Sequence, residues 1–300
     1  MAPPPRVAVV VPVHNNLART LRFLRSFRDV TYPHYTVVIA DDGSADGTGA
    51  ALARDFPSVV VLRGDGNLWW SGATNLGVRY ALGHGFDYVL TINNDALVRP
   101  DFLGRLVATA QANPRSIVGS RLNYQHDPAR VWAVGSCMRW HVGRLFHLCE
   151  HDAGEAEVLA RGPNPRPVEA LTGCGTLVPA ACFREVGLYD AKWFPQYHGD
   201  AEFVLRARRR GWRALVDLQA VVFNDAGNSC TDTVRGYHQH LFSRRSWVYW
   251  RPVAAVHLRY CPWRYLLTSW WQFYGWFVWY YDPRSQRLKR AVKRALGRAA

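Results

Sequence analysis

The sequence predicts an α/β domain with a Rossmann-like, mostly parallel central sheet flanked by helices. Short runs of β-branched residues alternate with segments of helical periodicity, as in chains built from strand–helix–strand units. Polar residues follow directly on three of these runs, at the strand ends where sheets of this kind bind their ligands. We expect strands at residues 6–13, 36–40, 58–62 and 87–92.

The first predicted strand, 6–13, is an unbroken apolar run of the kind that is buried on both faces. Residues 16–29 follow as an amphipathic helix, because leucine and phenylalanine recur there every three or four positions between arginines. Each of the next three strands leads into polar or glycine-rich sequence: Asp41–Ser44, Gly64–Asn67 and Asn93–Asp95. These segments are therefore the first candidates for a ligand site.

The second half of the domain is less regular. From about residue 120 to 168 no regular period is apparent, and the prolines and glycines clustered at Gly162–Pro167 predict a loop. Regular structure is expected again at 170–178, followed by a helix that begins near Pro179. A further helix at about 201–210 precedes a strand near 214–216.

Residues 241–300 predict a separate helical, aromatic and basic extension to an α/β domain of residues 1–240. The uncharged segment 265–281 is marginal in length for a membrane span, and its Trp and Tyr residues favour the membrane–water interface. Residues 284–298 form a basic helix with an apolar stripe, which suits an anionic membrane surface. Surface attachment is the prediction; the alternatives are a true span, or a packed aromatic core or dimer contact with a solvated tail.

The composition limits which binding partners and which cellular compartment the sequence predicts. A net charge of +14 indicates an anionic partner, yet no zinc-finger, RNP-like or basic-zipper pattern points to nucleic acid. Six cysteines without a C-x-x-C pair predict reduced thiols, and the short N-terminal apolar run does not resemble a signal peptide. We expect a cytoplasmic protein attached to the inner face of the plasma membrane.

Four motifs resemble those of family 2 glycosyltransferases, in their order and spacing: Val9–Asn15, Ala40–Thr48, Thr91–Asp95 and, similar to the rhamnosyltransferase-like branch, Gly66–Gly77. The resemblance covers about residues 6–225. It implies the GT-A fold and an inverting transfer of a sugar from a UDP- or dTDP-sugar. The acceptor would be a hydroxyl of a cell-surface glycan or a lipid-linked oligosaccharide.

The resemblance places the nucleotide-sugar site within about residues 6–120. Asp41, with Asp42, would accept the ring N–H of the base, although Asp-Gly-Ser is also ordinary turn sequence. Small residues between Gly66 and Gly77 would let backbone N–H groups approach the phosphates. The full set of expected donor-binding residues is Pro12, His14, Asp41, Asp42, Asn67, Asn75 and Asn93.

The metal motif Asp-x-Asp of the family appears here as Asn93-Asn94-Asp95. Only Asp95 can then be an anionic ligand, so Mg²⁺ or Mn²⁺ would be held largely by diphosphate and water. Asn-Asn-Asp is also good turn sequence, which is the structural alternative. Where many relatives have a metal-directed histidine after the last core strand, this chain has Asn224, and Asp225 is the possible substitute.

The acceptor and base region is expected at about residues 165–225. The family places its general base in a Glu-Asp motif before an arginine-bearing helix. Alignment on Arg206 assigns that base to Asp200, with Gly199 in place of the glutamate; helix capping is the structural alternative. The expected acceptor-side residues are Trp69, Trp70, Gly173, His198 and Glu202.

Two other functions are compatible with parts of the sequence. A sugar-1-phosphate nucleotidylyltransferase has a similar sheet but begins with a basic, glycine-rich loop, where this chain has Pro12–Asn16. A catalytically inactive, membrane-associated glycan-binding scaffold would be favoured if Asp95 or Asp200 were missing, and both are present. The glycosyltransferase is therefore the prediction.

Overall fold

The computed structural model describes residues 3–225, 234 and 237–281, without the side chains of 276, 278, 280 and 281. The chain divides into two compact units, Met1–Cys137 with Leu148–Gly227, and Met138–His147 with Asn228–Ala300. The predicted boundary at residue 240 remains a prediction. The basic helix expected at 284–298 lies outside the described residues.

The first unit is built on one mixed sheet. Its strands are β1 Val7–Val13, β2 Tyr35–Asp41, β3 Val60–Arg63, β4 Tyr88–Thr91, β5 Leu97–Val98, β6 Ser116–Tyr124, β7 Val131–Ala133, β10 Arg166–Pro167, β11 Thr176–Pro179 and β12 Arg213–Asn224; β8 Ser136–Arg139 and β9 Arg144–Leu148 form a separate hairpin. The order is β10-β12-β6-β11-β4-β1-β2-β3. β11 runs antiparallel between β4 and β6, whereas β1 pairs in parallel with β2 and β4. The mostly parallel sheet is as predicted.

Helices cover both faces of this sheet. The helices of the first unit are α1 Leu17–Phe27, α2 Thr48–Asp55, α3 Trp69–Gly83, α4 Phe102–Ala112, α5 Glu155–Ala160, α6 Ala180–Val186 and α7 Gly199–Arg208. Alternate residues of β1 enter different cores: Val9 packs in the core with α1 and α4, and Val10 packs in the core with α3, α6 and α7. The period of two in a strand requires this alternation, which explains why β1 is apolar throughout.

The segment in which the sequence shows no regular period begins, in the structure, within a buried strand. β6 is buried from Ser116 to Asn123 and lies between β11 and β12. Its second half includes the buried polar residues Ser120, Arg121 and Asn123, so the strand lacks the apolar run that marks β1. Arg121 forms an ion pair with Glu155 through Nη2, a tertiary contact that local sequence does not show, whereas its Nη1 is buried with no hydrogen-bond partner among the described residues.

The glycine-rich motif Gly66–Gly77 is mostly helix rather than loop, because α3 begins at Trp69. A Cβ atom at Gly77 would lie 2.4 Å from Cγ1 of Val10. Glycine at this position therefore permits the close approach of α3 to the central strand β1.

We predict that Gly77→Ala destabilises the protein by about 1–3 kcal/mol, since the added methyl group overpacks the core beside Val10. Urea denaturation measures the change in the free energy of unfolding. Gly83→Ala, in the same helix with no atom within 4 Å of the new Cβ, is the matched control. The control should be neutral or stabilising by up to about 1 kcal/mol, and equal effects of the two substitutions would contradict the packing argument.

The second unit contains α8 Tyr237–Phe242, α9 Trp250–Tyr260 and α10 Leu266–Tyr281. Buried His257 of α9 lies with Nε2 3.1 Å from the Ser269 hydroxyl of α10, and its Nδ1 is 2.9 Å from the Val253 carbonyl oxygen. Phe273 and Phe277 of α10 pack in the small core of this unit. Among the described helices, none has the length and apolar character to cross a membrane.

Candidate active site

The first two motifs meet at the carboxyl end of β1 and β2, where Pro12 lies opposite Ala40 in the sheet. His14 Nδ1 lies 2.6 Å from the carbonyl oxygen of Asp42. Because a carbonyl only accepts, Nδ1 carries the proton. The Asn15 side-chain oxygen accepts from the Ala45 N–H at 2.9 Å. These bonds join the two predicted donor-binding segments.

The adjacent carboxylates Asp41 and Asp42 are both buried, and they contact different groups. Asp41 accepts a hydrogen bond from the Ser44 N–H at 3.0 Å, which makes the turn expected after β2. Asp42 accepts from three backbone N–H groups of the loop before α3: Gly66 at 2.8 Å, Leu68 at 2.9 Å and Trp69 at 3.1 Å. Asp42 therefore fixes the start of the glycine-rich motif.

Asp95, the predicted metal ligand, follows β4 and has an unusual carboxylate. Its Oδ1 atom is buried and has no hydrogen-bond partner among the described residues. Desolvation by burial raises the pKa of Asp95, and the nearby charge of Arg19 opposes this rise. A buried carboxylate oxygen without a proton donor is a suitable ligand for a cation.

Asp225, which follows β12, influences the Asp95 carboxylate through its charge. It pairs with Arg19 at 3.2 Å, and its charge adds to the rise in the pKa of Asp95. Within the described part of the chain, no group of three or more His, Cys, Asp or Glu residues could hold a metal. The Asp95 carboxylate fits a cation that takes most of its ligands from diphosphate and water, as Mg²⁺ commonly does.

Asp200, the predicted base, lies in the first turn of α7. Its Oδ2 atom accepts from the Gly173 N–H at 2.6 Å, and Oδ1 accepts from the Ala201 N–H at 2.8 Å. Desolvation by burial raises the pKa of Asp200, while these two bonds and the charge of His198 oppose the rise. His198 itself has φ of 67°, which directs the chain into the helix.

Trp70, an expected acceptor-side residue, joins two parts of the site. Its indole N–H donates to the side-chain oxygen of Asn93 at 2.9 Å. A Cβ atom at Gly173 would lie 2.1 Å from Cζ2 of Trp70, so the indole lies directly against this glycine. The neighbouring Trp69 has φ of 58° and donates its N–H to Asp42.

Cys174 shows that the two predicted chemical groups lie close together. Its thiol is buried, and desolvation, together with the smaller effects of the charges of Asp95 and Asp200, raises the pKa of Cys174 to about 12. The thiol also contacts the backbone of Asn93. The carboxylates at positions 95 and 200 therefore both lie near the segment Gly173–Cys174, although they are far apart in the chain.

Three other predicted residues have different surroundings. Asn75 is buried and bonds both ways to the backbone of Tyr189, at 2.8 and 3.0 Å. Glu202 is fully buried and pairs with Arg206 at 3.2 Å. Asn67 is exposed, and its N–H donates to Asp65. Asn75 and Glu202 thus connect elements of the fold, and their roles in binding remain predictions.

Two glutamines of the site were not predicted, because glutamine is common on any surface and carries no motif here. Gln125 donates from Nε2 to the Asp95 carbonyl oxygen at 2.5 Å and to the Phe223 carbonyl oxygen at 3.1 Å. The side-chain oxygen of Gln196 accepts from the backbone N–H of Trp70 at 3.3 Å. Both side chains bridge segments that meet only in the folded chain.

Residues 8–154 match the family model of glycosyl transferase family 2. The chain belongs, through this segment, to that family. A relative named N-acetylglucosaminyl-diphospho-decaprenol L-rhamnosyltransferase, from Mycobacterium tuberculosis, is 27% identical over 226 residues, which are 69% of this chain and 72% of the relative. An undecaprenyl-phosphate mannosyltransferase from Micrococcus luteus is 31% identical over 119 residues, covering 39% of this chain and 48% of its own length.

Solved structures confirm the predicted GT-A fold of this glycosyltransferase. GalNAc-T7 with UDP, GalNAc and Mn²⁺ superposes with a TM-score of 0.59 at 17% identity, over 75% of this chain and 44% of that chain. The mannosyltransferase PcManGT from Pyrobaculum calidifontis, in complex with GDP-Man and Mn²⁺, gives a TM-score of 0.53 at 19% identity, over 98% and 81%. At these identities the likeness concerns the fold alone.

We predict that Trp70→Phe lowers kcat/KM for sugar transfer by about tenfold, because the variant keeps the ring against Gly173 but loses the hydrogen bond to Asn93. Nucleoside diphosphate release from the accepted nucleotide sugar measures this. In an Asn93→Ala background the same substitution should have almost no further effect. Additive losses in the double variant would show that the bond is unimportant.

Proposed function

We propose that this protein is an inverting glycosyltransferase that uses a UDP- or dTDP-sugar and a hydroxyl acceptor on a cell-surface glycan or lipid-linked oligosaccharide. The observation that carries the proposal is that Asp200 is bonded to Gly173 while both Asp200 and Asp95 lie near enough to act on the neighbouring Cys174 thiol. The names of two relatives, a decaprenol-linked rhamnosyltransferase and an undecaprenyl-phosphate mannosyltransferase, support the lipid-linked acceptor.

The donor would lie along the carboxyl ends of β1, β2 and β4. In this proposal Asp41 and Asp42 face the nucleotide base, with Pro12 and His14 beside them. The loop that Asp42 holds by three backbone N–H groups would present Asn67 to the sugar phosphate. Asn93, oriented by the Trp70 indole, would contact the ribose.

Asp95 would hold the divalent cation, Mg²⁺ or Mn²⁺, through the buried Oδ1 atom that has no partner among the described residues. The cation supplies neutralisation of the departing nucleotide diphosphate. Asp225, fixed by Arg19, would be a second carboxylate at the same place. With Asp95 as the one carboxylate of the family motif and Asp225 as the second, the protein would supply only a few of the ligands of the cation.

Asp200 would take the proton from the acceptor hydroxyl as that oxygen attacks the anomeric carbon. A raised pKa makes its carboxylate a stronger base than an exposed aspartate, and the Gly173 and Ala201 N–H groups fix its orientation. His198, Gly173, Trp69 and Trp70 lie next to Asp200 or to the segment that it contacts, and would form the acceptor side. Because the Asp200 carboxylate is buried, water solvates it weakly, and this favours transfer of a proton to it.

We predict that Asp200→Asn lowers turnover by about 10²-fold or more, because the amide cannot accept the proton. Release of nucleoside diphosphate and transfer of labelled sugar measure turnover, and equilibrium titration with the donor should show nearly unchanged affinity. In the unmodified enzyme kcat/KM should fall toward low pH, with a midpoint above the ordinary aspartate pKa of about 4.

The matched control is Asp101→Asn, which changes an exposed carboxylate that pairs with Arg105 on the surface. Its activity should equal that of the unmodified protein. Full activity of Asp200→Asn would remove Asp200 as the base, and the assignment would then have to move to another carboxylate of the site.

We predict that Asp95→Ala reduces metal-dependent donor binding by about tenfold or more, since the substitution removes the buried carboxylate proposed to hold the cation. Isothermal titration of a nucleoside diphosphate, with Mn²⁺ and with EDTA, separates the metal-dependent part of the affinity. The EDTA value should be the same in both proteins. An unchanged difference between the two titrations would show that Asp95 does not hold the metal.

For location, we propose a cytoplasmic protein attached peripherally to the inner face of the plasma membrane. The lipid-linked substrates in the names of relatives support this, as does the aromatic and basic composition of residues 241–300. Attachment would bring the enzyme to an acceptor that is itself confined to the membrane.

A further inference from the structure

Helix α10 of the second unit has two opposite apolar faces. One face is packed inside the unit through Ser269, Phe273 and Phe277, which are 0%, 8% and 3% exposed. On the other side, side chains spaced four or eight residues apart are open to solvent, beginning in the short turn of helix before α10. This outer face consists of Trp263 (89% exposed), Leu267 (83%), Trp271 (79%) and Trp279 (46%).

So large a set of exposed aromatic side chains on one helix indicates a binding surface, because soluble proteins rarely leave such groups in water. Beside the outer face lie both apolar and polar residues. Val142 and Arg144 line a shallow pocket with Trp271, Gln272 and Gly275 of the helix. The guanidinium of Arg264 lies 4.8 Å from the ring centre of Tyr265. Arginine and tryptophan are thus adjacent on this surface.

The charge of the second unit is strongly one-sided. Residues 228–300 contain 13 Lys and Arg against two Asp and no Glu, so they carry +11 of the net +14 of the chain. No acidic residue occurs between residues 233 and 281. An occupant of the outer face must therefore tolerate or complement positive charge, which an anionic lipid surface does.

The length and packing of α10 determine how it would meet a bilayer. Its 16 residues extend about 24 Å, which is shorter than the hydrocarbon core of about 30 Å. Its inner face is already occupied by the core of the unit. A helix with one face in protein and tryptophans on the other lies along the membrane–water interface, where tryptophan is most favourable.

We propose that the outer face of α10 inserts into the headgroup region of an anionic bilayer, with the helix axis parallel to the membrane. This inference rests on the surface attachment proposed above and names the residues that make it. Apolar insertion is assigned to Trp263, Leu267 and Trp271, and long-range attraction to the basic residues 284–298. The two parts should separate experimentally, because only the second depends on salt.

A second copy of this chain is a less suitable occupant. A self-interface on the outer face would bring two units of the same high positive charge together, and the second unit offers almost no acidic partner for them. Like charges across an interface are unfavourable by several kcal/mol. Nucleic acid would complement the charge but gives no reason for an exposed Leu267 between two tryptophans.

The test uses the purified full-length protein and vesicles of phosphatidylcholine with about one third phosphatidylglycerol. The triple variant Trp263→Ser/Leu267→Ser/Trp271→Ser should lower the partition coefficient at least tenfold at high salt. It should also lose most of the quenching of tryptophan fluorescence by brominated lipid. Leu159→Ser, which changes an exposed leucine (37%) of the first unit, is the matched control and should bind like the unmodified protein.

Deletion of residues 284–300 should reduce binding mainly at low salt and leave the quenching of the bound fraction unchanged. If the triple variant does not fold, the single variants Trp263→Ser and Trp271→Ser carry the same test, since both positions are highly exposed. Each single variant should lower the partition coefficient about threefold or more. Unchanged partitioning and quenching in these variants would overturn the proposal.

Two further outcomes would also overturn it. One is a dimer in light scattering that the triple variant breaks while vesicle binding stays the same. The other is tight binding of a single-stranded oligonucleotide that depends on these three residues, with no quenching by lipid. Transfer to a short soluble acceptor should be unaffected by the triple variant, and vesicle binding should be unaffected by Asp200→Asn. Failure of the docking surface is thereby distinguished from failure of the proposed catalytic function.

Discussion

The contact between Trp70 and Gly173 is the constraint on which the rest of the site depends. The indole lies so close to Gly173 that any side chain there would overlap it. From this contact the site extends in two directions. The indole N–H of Trp70 donates to Asn93, two residues before Asp95, and the backbone N–H of Gly173 donates to Asp200. One aromatic side chain thus fixes the relative positions of the proposed metal ligand and the proposed base.

The donor side depends on a second buried group, the carboxylate of Asp42. A buried carboxylate requires hydrogen-bond donors, and three backbone N–H groups of the loop before α3 supply them. In return the loop adopts one conformation, including the left-handed backbone of Trp69 that starts the helix. The helix that results is close enough to β1 only because residue 77 is glycine. The motifs Ala40–Thr48 and Gly66–Gly77 therefore form one structural unit.

The two compact units are stabilised and charged in different ways. The first unit buries a large apolar core on each face of its sheet and uses its charged residues in ion pairs such as Arg206 with Glu202. The second unit has a small core and leaves large aromatic side chains in solvent. It also carries most of the positive charge of the chain. Chemistry is thus expected in the first unit and attachment in the second.

Local periodicity in the sequence was enough to predict β1 to β4, and the polar residues after them, because apolar runs and strand ends are properties of neighbouring residues. The position of Asp95 after β4 followed from the same reasoning, whereas its role as metal ligand and the role of Asp200 as base came from the resemblance to family 2 glycosyltransferases. Only the tertiary structure decided that Asp95 has a buried oxygen without a partner among the described residues. It also decided that Asn75 is hydrogen-bonded to the backbone of Tyr189, and that β6, with its polar second half, is a central strand. Each of these outcomes depends on hydrogen-bond partners or strand neighbours far along the chain, and the pattern of nearby residues does not specify them.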